Sequence, residues 1–267
     1  MTNVFQEQTN LGKKMFIPFI TAGDPSPEIT IDLSLALQEA GATAIELGIP
    51  YSDPLADGPV IQRASKRALK QGMNIVKAME LVPVMRERGV NIPIILFTYY
   101  NPVLQLGEER FFALMRKNEV DGLLIPDMPF EESDEMRKRC KEENIYFISM
   151  AAPTSSGRLE RIAGKADGFL YCVSSLGVTG ERKEFNENVF SFIKEVKSIA
   201  SIPVAVGFGI SSGEQAEKMN KVCDGVIVGS ALIKKIESLQ ERLLDERSRK
   251  EAVDELKEYA QTFVTSA

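Results

Sequence analysis

The chain has 267 residues, a formal net charge of −6, no histidine and three cysteines. The acidic balance gives no electrostatic reason to expect nucleic acid, and three widely spaced cysteines fit a reducing compartment better than a disulfide framework. Without histidine or a CxxC pair we expect no transition-metal site, and proton transfer near neutral pH falls to a carboxylate, Lys, Tyr or Cys.

The chain carries no sign of membrane insertion or secretion. No apolar stretch is long enough to span a bilayer, and the first ten residues lack the basic flank and apolar segment of a signal peptide. We therefore expect a cytoplasmic protein. The length permits one large core, and we predict a single domain over residues 1–267, with 1–14 as an N-terminal extension.

Eight short apolar runs alternate with longer amphipathic segments. The runs are continuous, which is typical of parallel strands covered on both faces. An α/β fold with eight strands in about 250 residues predicts a (β/α)8 TIM barrel. A doubly wound open sheet is the alternative, but the first turn lacks the GxGxxG pattern. The predicted strands are Met15–Thr21, Ala44–Gly48, Ile92–Thr98, Gly122–Ile125, Tyr146–Met150, Gly168–Val173, Val204–Gly207 and Gly225–Val228.

Helical patterns fill the gaps between these runs. Residues 75–88 are one of them, and Pro83 inside the pattern predicts a kink or a late start. Three Asp-Gly pairs, at 121–122, 167–168 and 224–225, each end a helix and open a strand, which predicts the same turn three times. The other predicted helices are Leu33–Ala40 ended by Gly41, Ser156–Lys165, Val189–Ala200, Ser212–Lys221 and the charge-rich tail Glu241–Tyr259.

The second predicted strand carries a carboxylate, Glu46, and the Pro/Gly-rich loop after it carries Asp53 and Asp57. A charged group in an apolar strand is costly unless it has a partner or a task. Burial would raise the pKa of Glu46 and suit it to acid–base work. An internal ion pair is the alternative for Glu46, and a plain turn residue is the alternative for Asp57.

Glycines follow the last three strands, in the segments Gly177–Gly180, Gly207–Gly209 and Gly229–Ser230. Backbone N–H groups at helix starts bind anions, and in barrels the usual phosphate position follows strands seven and eight. No lysine lies in a predicted strand, which disfavours a Schiff base. The residues thus indicate carboxylate proton transfer on a phosphorylated substrate. We interpret Tyr99, Tyr100 and Tyr171 as packing residues.

Four segments closely resemble the tryptophan synthase alpha subunit family: Pro18–Pro25, Glu46–Pro59, Gly177–Gly180 and Gly207–Ile210. The match runs in order from about residue 15 to the end. It implies a TIM barrel and a lyase that cleaves indole-3-glycerol phosphate to indole and glyceraldehyde 3-phosphate, in the last steps of tryptophan biosynthesis. In this resemblance Glu46 is the general acid and base, and Asp57 binds the indole N–H.

The resemblance also implies the rest of the site. Phe19, Tyr171 and Thr179 are substrate-binding residues, with Thr179 pairing with Asp57. The implied phosphate cradle is Gly180, Phe208, Gly209, Gly229 and Ser230. This chain has Ser175-Leu176 where the family often has Arg-Ser, which affects the expected closure of that loop.

The family works as an α2β2 complex with a pyridoxal-phosphate β subunit, so the resemblance implies that partner and no cofactor in this chain. Tyr51–Pro59, Tyr99–Pro102 and Asp127–Pro129 would face the partner. Two alternatives stay open at this point. One is a non-catalytic phosphate-binding barrel that regulates a partner, and the other is a different phosphosugar barrel, such as indole-glycerol-phosphate synthase or ribulose-phosphate epimerase.

Overall fold

The computed structural model describes residues 3–173, 187–207 and 209–264. Within these residues nine parallel strands form one sheet in the order β5-β4-β3-β2-β1-β9-β8-β7-β6. The strands are β1 Met15–Thr21, β2 Ile45–Gly48, β3 Ile94–Phe97, β4 Gly122–Leu124, β5 Tyr146–Phe147, β6 Ser149–Ala151, β7 Leu170–Val173, β8 Val204–Gly207 and β9 Gly225–Val228.

The two edges of this sheet meet in the fifth predicted strand. That strand, Tyr146–Met150, is divided into β5 and β6 with Ile148 between them. β5 pairs with β4 and β6 pairs with β7, and the Ile148 N–H still donates to the Leu123 carbonyl at 2.9 Å. The sheet therefore closes into the predicted single-domain (β/α)8 barrel, and the open-sheet alternative is wrong.

Helices surround the barrel between successive strands. The described α-helices are α1 Val4–Asn10, α2 Pro27–Glu39, α3 Pro59–Lys70, α4 Ile75–Glu87, α5 Tyr100–Leu106, α6 Glu108–Lys117, α7 Asp134–Glu142, α8 Leu159–Lys165, α9 Glu187–Ile199, α10 Gly213–Asn220, α11 Ser230–Ser238, α12 Gln240–Leu244 and α13 Arg249–Gln261. Two 3₁₀ helices cover Phe130–Glu132 and Pro153–Arg158.

Three helix predictions need correction. α4 starts at Ile75, because the Asn74 side chain accepts the N–H groups of Val76 and Lys77, so the late start suggested by Pro83 is wrong. The segment predicted to be helical from Ser156 is a 3₁₀ helix up to Arg158 and becomes α-helical only at Leu159. The tail predicted as one helix is two, α12 and α13.

The Asp-Gly turns lie at the amino ends of the strands, and two of the three share one design. Asp121 accepts the Ile94 N–H at 2.7 Å and pairs with Arg86, and Asp224 accepts the Val204 N–H at 2.8 Å and pairs with Lys197. Each carboxylate thereby holds the first residue of the neighbouring strand. Within the described residues, Asp167 accepts a hydrogen bond from the adjacent Gly168 N–H alone, at 2.8 Å. The prediction of three equal turns is therefore wrong for this one.

Helix α1, from the N-terminal segment, also lies at the amino ends of the strands. Its Phe5 is fully buried and packs edge-on against the Tyr146 and Phe169 rings at 5.4 and 5.0 Å. The Asn3 side chain donates to the Gly168 carbonyl at 2.8 Å. This end of the barrel is thus covered, and the carboxyl ends of the strands are the end at which a substrate can enter.

Candidate active site

Glu46 lies on β2, in register with Phe19 of β1 and Ile95 of β3. The side chain is 1% exposed, and its Oε1 atom has no hydrogen-bond partner in the described residues. Burial raises the pKa of Glu46 from 4.5 to about 8, because the charged form loses its hydration. The internal ion pair that was the alternative for Glu46 is not present in the described part of the chain.

Asp57 lies in the loop between β2 and α3. Burial raises its pKa to about 6, and a hydrogen bond from Tyr99 opposes part of this rise. Its Oδ1 atom has no hydrogen-bond partner within the described residues. The backbone is held from α3, since the Gln62 side-chain amide donates to the Asp57 carbonyl at 2.8 Å. Asp57 is therefore a fixed, buried carboxylate and not an exposed turn residue.

Tyr99 has a polar role that the sequence did not reveal. Its hydroxyl accepts the Ala56 N–H at 3.0 Å and bonds to the Asp57 side chain. Burial, with a smaller contribution from the Asp57 charge, raises the Tyr99 pKa, so the hydroxyl stays neutral. The interpretation of Tyr99 as a packing residue is thus incomplete, because its hydroxyl also makes hydrogen bonds to the loop that carries Asp57.

The two carboxylates line one cavity at the carboxyl end of the barrel. It holds about 460 Å³ of space between atoms, with the open solvent at its mouth included. Seven of the predicted site residues line it: Phe19, Glu46, Asp57, Tyr171, Gly209, Gly229 and Ser230. Thr179, Gly180 and Phe208, together with Ser175 and Leu176, lie outside the described residues.

Two glycines make room for the aromatic walls of this cavity. A Cβ atom at Gly48 would overlap the Phe19 ring, and one at Gly207 would overlap the Tyr171 hydroxyl. The Phe19 ring also meets Phe97 edge-on, with centroids 5.4 Å apart. Burial, with the nearby Glu46 and Asp57 carboxylates, holds the pKa of Tyr171 well above its usual value. Among the lining residues that the structure describes, Glu46 and Asp57 are therefore the titratable groups near pH 7, and the others are apolar or neutral.

Sequence reasoning missed four lining residues, Ile61, Phe97, Ile210 and Ile227. Phe97 and Ile227 could have been found from the alternation of side chains along β3 and β9, because residues two apart on a strand point to the same face of the sheet. Ile61 and Ile210 had none, since their position depends on how a loop folds back over the barrel.

The start of α11 forms the end of the cavity at which the sequence predicts phosphate binding. Gly229 and Ser230 come directly after β9, and Ser230 is the first residue of this nine-residue helix. Gly209 follows β8, the strand that pairs with β9, and has a positive φ of 86° that favours glycine. Backbone N–H groups at a helix start are suited to bind an anion, such as the phosphate of a substrate.

The three segments predicted to face a partner lie together at the same end of the barrel. Asn101 donates to the Tyr51 hydroxyl at 3.0 Å, and the Tyr100 N–H donates to the Asp127 carboxylate at 3.0 Å. Leu55, in the Asp57 loop, is 75% exposed, so this surface presents a large apolar side chain next to the cavity.

Two features are absent from the described ranges, 3–173, 187–207 and 209–264. These ranges contain no helix long and apolar enough to cross a membrane. They also contain no group of three or more His, Cys, Asp or Glu side chains placed to hold a metal ion.

Comparison with known proteins decides the family. The model of the tryptophan synthase alpha chain family matches residues 5–266. The alpha chain of Bacillus subtilis strain 168 is 61% identical over 260 residues, with 97% of each chain covered, and that of Bacillus pumilus is 64% identical over 256 residues, with 96% of each covered. The chain belongs to the tryptophan synthase alpha chain family. The predictions of this family and of a carbon–carbon lyase of tryptophan biosynthesis are confirmed.

Solved alpha chains share the fold. The alpha subunit of Legionella pneumophila strain Paris superposes with a TM-score of 0.87 at 34% identity, covering 97% of this chain and 95% of that one. A chain of the Pyrococcus furiosus tryptophan synthase complex gives 0.81 at 38% identity, with 94% and 98% covered. Another Pyrococcus furiosus structure is described as an α2β2 complex with mutual activation.

Proposed function

We propose that this alpha chain cleaves indole-3-glycerol phosphate to indole and glyceraldehyde 3-phosphate, with Glu46 as the general acid and base. The observation that carries the proposal is the environment of Glu46, a buried carboxylate with an unpartnered oxygen in an apolar cavity and a pKa of about 8. At pH 7 such a group is mostly protonated, as a proton donor must be.

Glu46 and Asp57 differ in protonation state. With a pKa of about 6, Asp57 is mostly ionised at pH 7, while Glu46 carries its proton. When two carboxyl groups in one site have pKa values that their environments push apart, they commonly take different roles in catalysis. We infer that Glu46 acts on the proton and that Asp57 acts through its charge.

The first step in this mechanism is protonation of the indole ring. Glu46 delivers its proton to ring carbon C3, which carries the glycerol chain, and positive charge then develops toward the ring nitrogen. Asp57 accepts the N–H hydrogen bond and stabilises that charge. An ionised group aimed at developing charge in a low-dielectric cavity is an effective form of transition-state stabilisation.

The second step breaks the carbon–carbon bond. The ionised Glu46 removes the proton from the hydroxyl on the adjacent glycerol carbon, a carbonyl forms there, and the electrons of the breaking bond return to the ring. Indole and glyceraldehyde 3-phosphate result, and Glu46 regains its proton. The glycine-rich end of the cavity with Ser230, together with Gly180 and Phe208, holds the phosphate and so fixes the reacting carbon relative to Glu46.

We propose a β subunit as the partner, in an α2β2 complex. The related Pyrococcus furiosus assembly and the joined surface formed by segments 51–59, 99–102 and 127–129 support this. In this assignment pyridoxal phosphate belongs to the β subunit and none to this chain, indole passes between the subunits, and the complex works in the cytoplasm.

The test is incubation of the purified chain with indole-3-glycerol phosphate while indole release is followed, alone and with a β subunit. Indole formation that rises when the β subunit is added is the expected result. If no indole forms in either case, the proposed activity is wrong. A chain that leaves this substrate intact but still activates a β subunit would instead be a regulatory barrel.

A further inference from the structure

Four charged side chains form a continuous series of ion pairs beside the cavity, which we call the four-charge network: Asp24, Arg67, Glu237 and Arg63. Arg67 makes two parallel bonds to the Asp24 carboxylate, at 2.7 and 2.9 Å. Arg67 also donates one hydrogen bond to Glu237, at 2.7 Å. Arg63 donates two to the same carboxylate, at 2.7 and 2.8 Å. The charges sum to zero, and Asp24 is only 2% exposed.

The network joins three elements that each supply part of the cavity. Asp24 follows β1, which carries Phe19. The two arginines lie on α3, whose Gln62 holds the Asp57 carbonyl. Glu237 lies on α11, seven residues and therefore two turns after Ser230.

These connections tie the two ends of the cavity together. Asp57 is at the end where the indole ring is placed under the proposed function, and Ser230 is at the phosphate end. Since α3 sets the position of Asp57 and α11 sets that of Ser230, the contact between the two helices fixes how far apart the ends are.

We propose that Arg67 and Glu237 are positioning residues that set the separation between Asp57 and the phosphate-binding end of the cavity. This inference rests on the proposed function. A two-point ion pair fixes the relative position of two helices more closely than apolar contacts do. The reason is that a planar guanidinium can donate two hydrogen bonds to a carboxylate only in certain orientations. A mutation far from the reacting atoms that misplaces the substrate by about 1 Å can reduce turnover by about 100-fold.

The sharpest test compares Glu237→Gln with Glu143→Gln. Glu143 also lies between two arginines, Arg116 at 2.6 Å and Arg139 at 3.5 Å. Its network joins α6 to the end of α7, and neither helix lines the cavity. The two variants therefore remove the same kind of bridge, one beside the cavity and one remote from it.

The readouts are kcat and KM for indole-3-glycerol phosphate, and the Kd of two fragments of it, indole and glycerol 3-phosphate. Each fragment contacts one end of the cavity only. We expect Glu237→Gln to lower kcat/KM about 10- to 100-fold with both fragment affinities unchanged, since only the joined substrate senses the separation. Glu143→Gln should leave kcat/KM and both fragment affinities unchanged.

Two results would overturn this proposal. One is an active wild-type chain in which Glu237→Gln behaves like Glu143→Gln. The other is a Glu237→Gln chain in which the fold-loss in kcat/KM equals the fold-loss in fragment affinity. That result would indicate that each end of the cavity is damaged and not the separation between them. Lack of activity in the wild type counts against the proposed function instead. If Glu237→Gln does not fold, Arg67→Lys keeps the positive charge but loses the planar contacts to Asp24 and Glu237, and an unchanged kcat/KM in it counts against the proposal.

Discussion

At the amino ends of the strands, Asp121 and Asp224 each accept a backbone N–H and pair with a cation. At the carboxyl ends, Glu46 and Asp57 are more deeply buried, yet each keeps an oxygen without a hydrogen-bond partner in the described residues. The carboxylates at the amino ends thus join a backbone N–H to a cation, whereas Glu46 and Asp57 face no cation in the described part of the chain.

The difference separates stability from reactivity. A carboxylate that accepts a backbone N–H and faces a cation stabilises the fold through those contacts. At Asp121 burial raises the pKa, while the Ile94 N–H and Arg86 oppose that rise. An unpaired buried carboxylate weakens the fold and has a raised pKa, which suits it to exchange a proton. The barrel therefore gains stability at its covered end and keeps chemical reactivity at its open end.

The largest effect is expected from removing the proton donor. Glu46→Gln keeps the size of the side chain but cannot exchange a proton, and we expect indole formation to fall by about 10³-fold or more. Steady-state assays with indole-3-glycerol phosphate measure this, with Glu143→Gln as the matched control outside the cavity. Turnover near the wild-type level in Glu46→Gln would rule out Glu46 as the acid.

A smaller loss is expected when the charge at Asp57 is removed. Asp57→Asn preserves the shape and can still contact the ring, but it cannot stabilise positive charge, so kcat should fall by about 10²-fold. Tyr99→Phe gives a graded comparison. It removes the hydroxyl that supports Ala56 and Asp57 and keeps the carboxylate, so its effect on kcat should be clearly smaller. Equal losses would mean that loop position matters and the charge does not.

At the amino end the comparison predicts a loss of stability instead of activity. Asp121→Ala removes the bond to the Ile94 N–H and the partner of Arg86, and should lower the free energy of unfolding by about 2–4 kcal/mol. Asp167→Ala should lower it by less than about 1 kcal/mol, since only one local hydrogen bond is lost. Urea unfolding measures both, and kcat per folded molecule should not change. Equal destabilisation by the two substitutions would show that the neighbouring strand gains nothing from Asp121.

Much of this architecture could be predicted from local sequence. The continuous apolar runs locate β1, β8 and β9 with the correct boundaries, because nothing but the strand itself sets their ends. Glu46 could be found because a carboxylate in such a run is unusual. These predictions use information within a few residues of the site in question.

What could not be predicted depends on distant contacts. The break at Ile148 arises because β5 pairs with β4 while β6 pairs with β7, and nothing local in Tyr146–Met150 signals it. Asp167 has the same Asp-Gly pair as Asp121 but lacks its contact across strands. The network around Arg67 joins positions up to 213 residues apart, from Asp24 to Glu237.

The smallest effect tests the raised pKa of Glu46 through stability. The unfolded chain binds that proton with a pKa of 4.5, and the folded chain with about 8. Between these values the folded state holds more protons, so the contribution of Glu46 to stability falls as pH rises and levels off above about pH 8. From pH 5.5 to 7.0 the loss is about 2 kcal/mol, since one bound proton corresponds to about 1.4 kcal/mol per pH unit.

Glu46→Gln has no such proton, so its stability relative to wild type should rise by this amount over the interval. Urea unfolding of both proteins at the two pH values gives the difference, in which all other titrating groups cancel to first order. Parallel pH profiles for the two proteins would show that Glu46 is ionised in the folded state, and the proton donor in the proposed reaction would have to be sought elsewhere in the cavity.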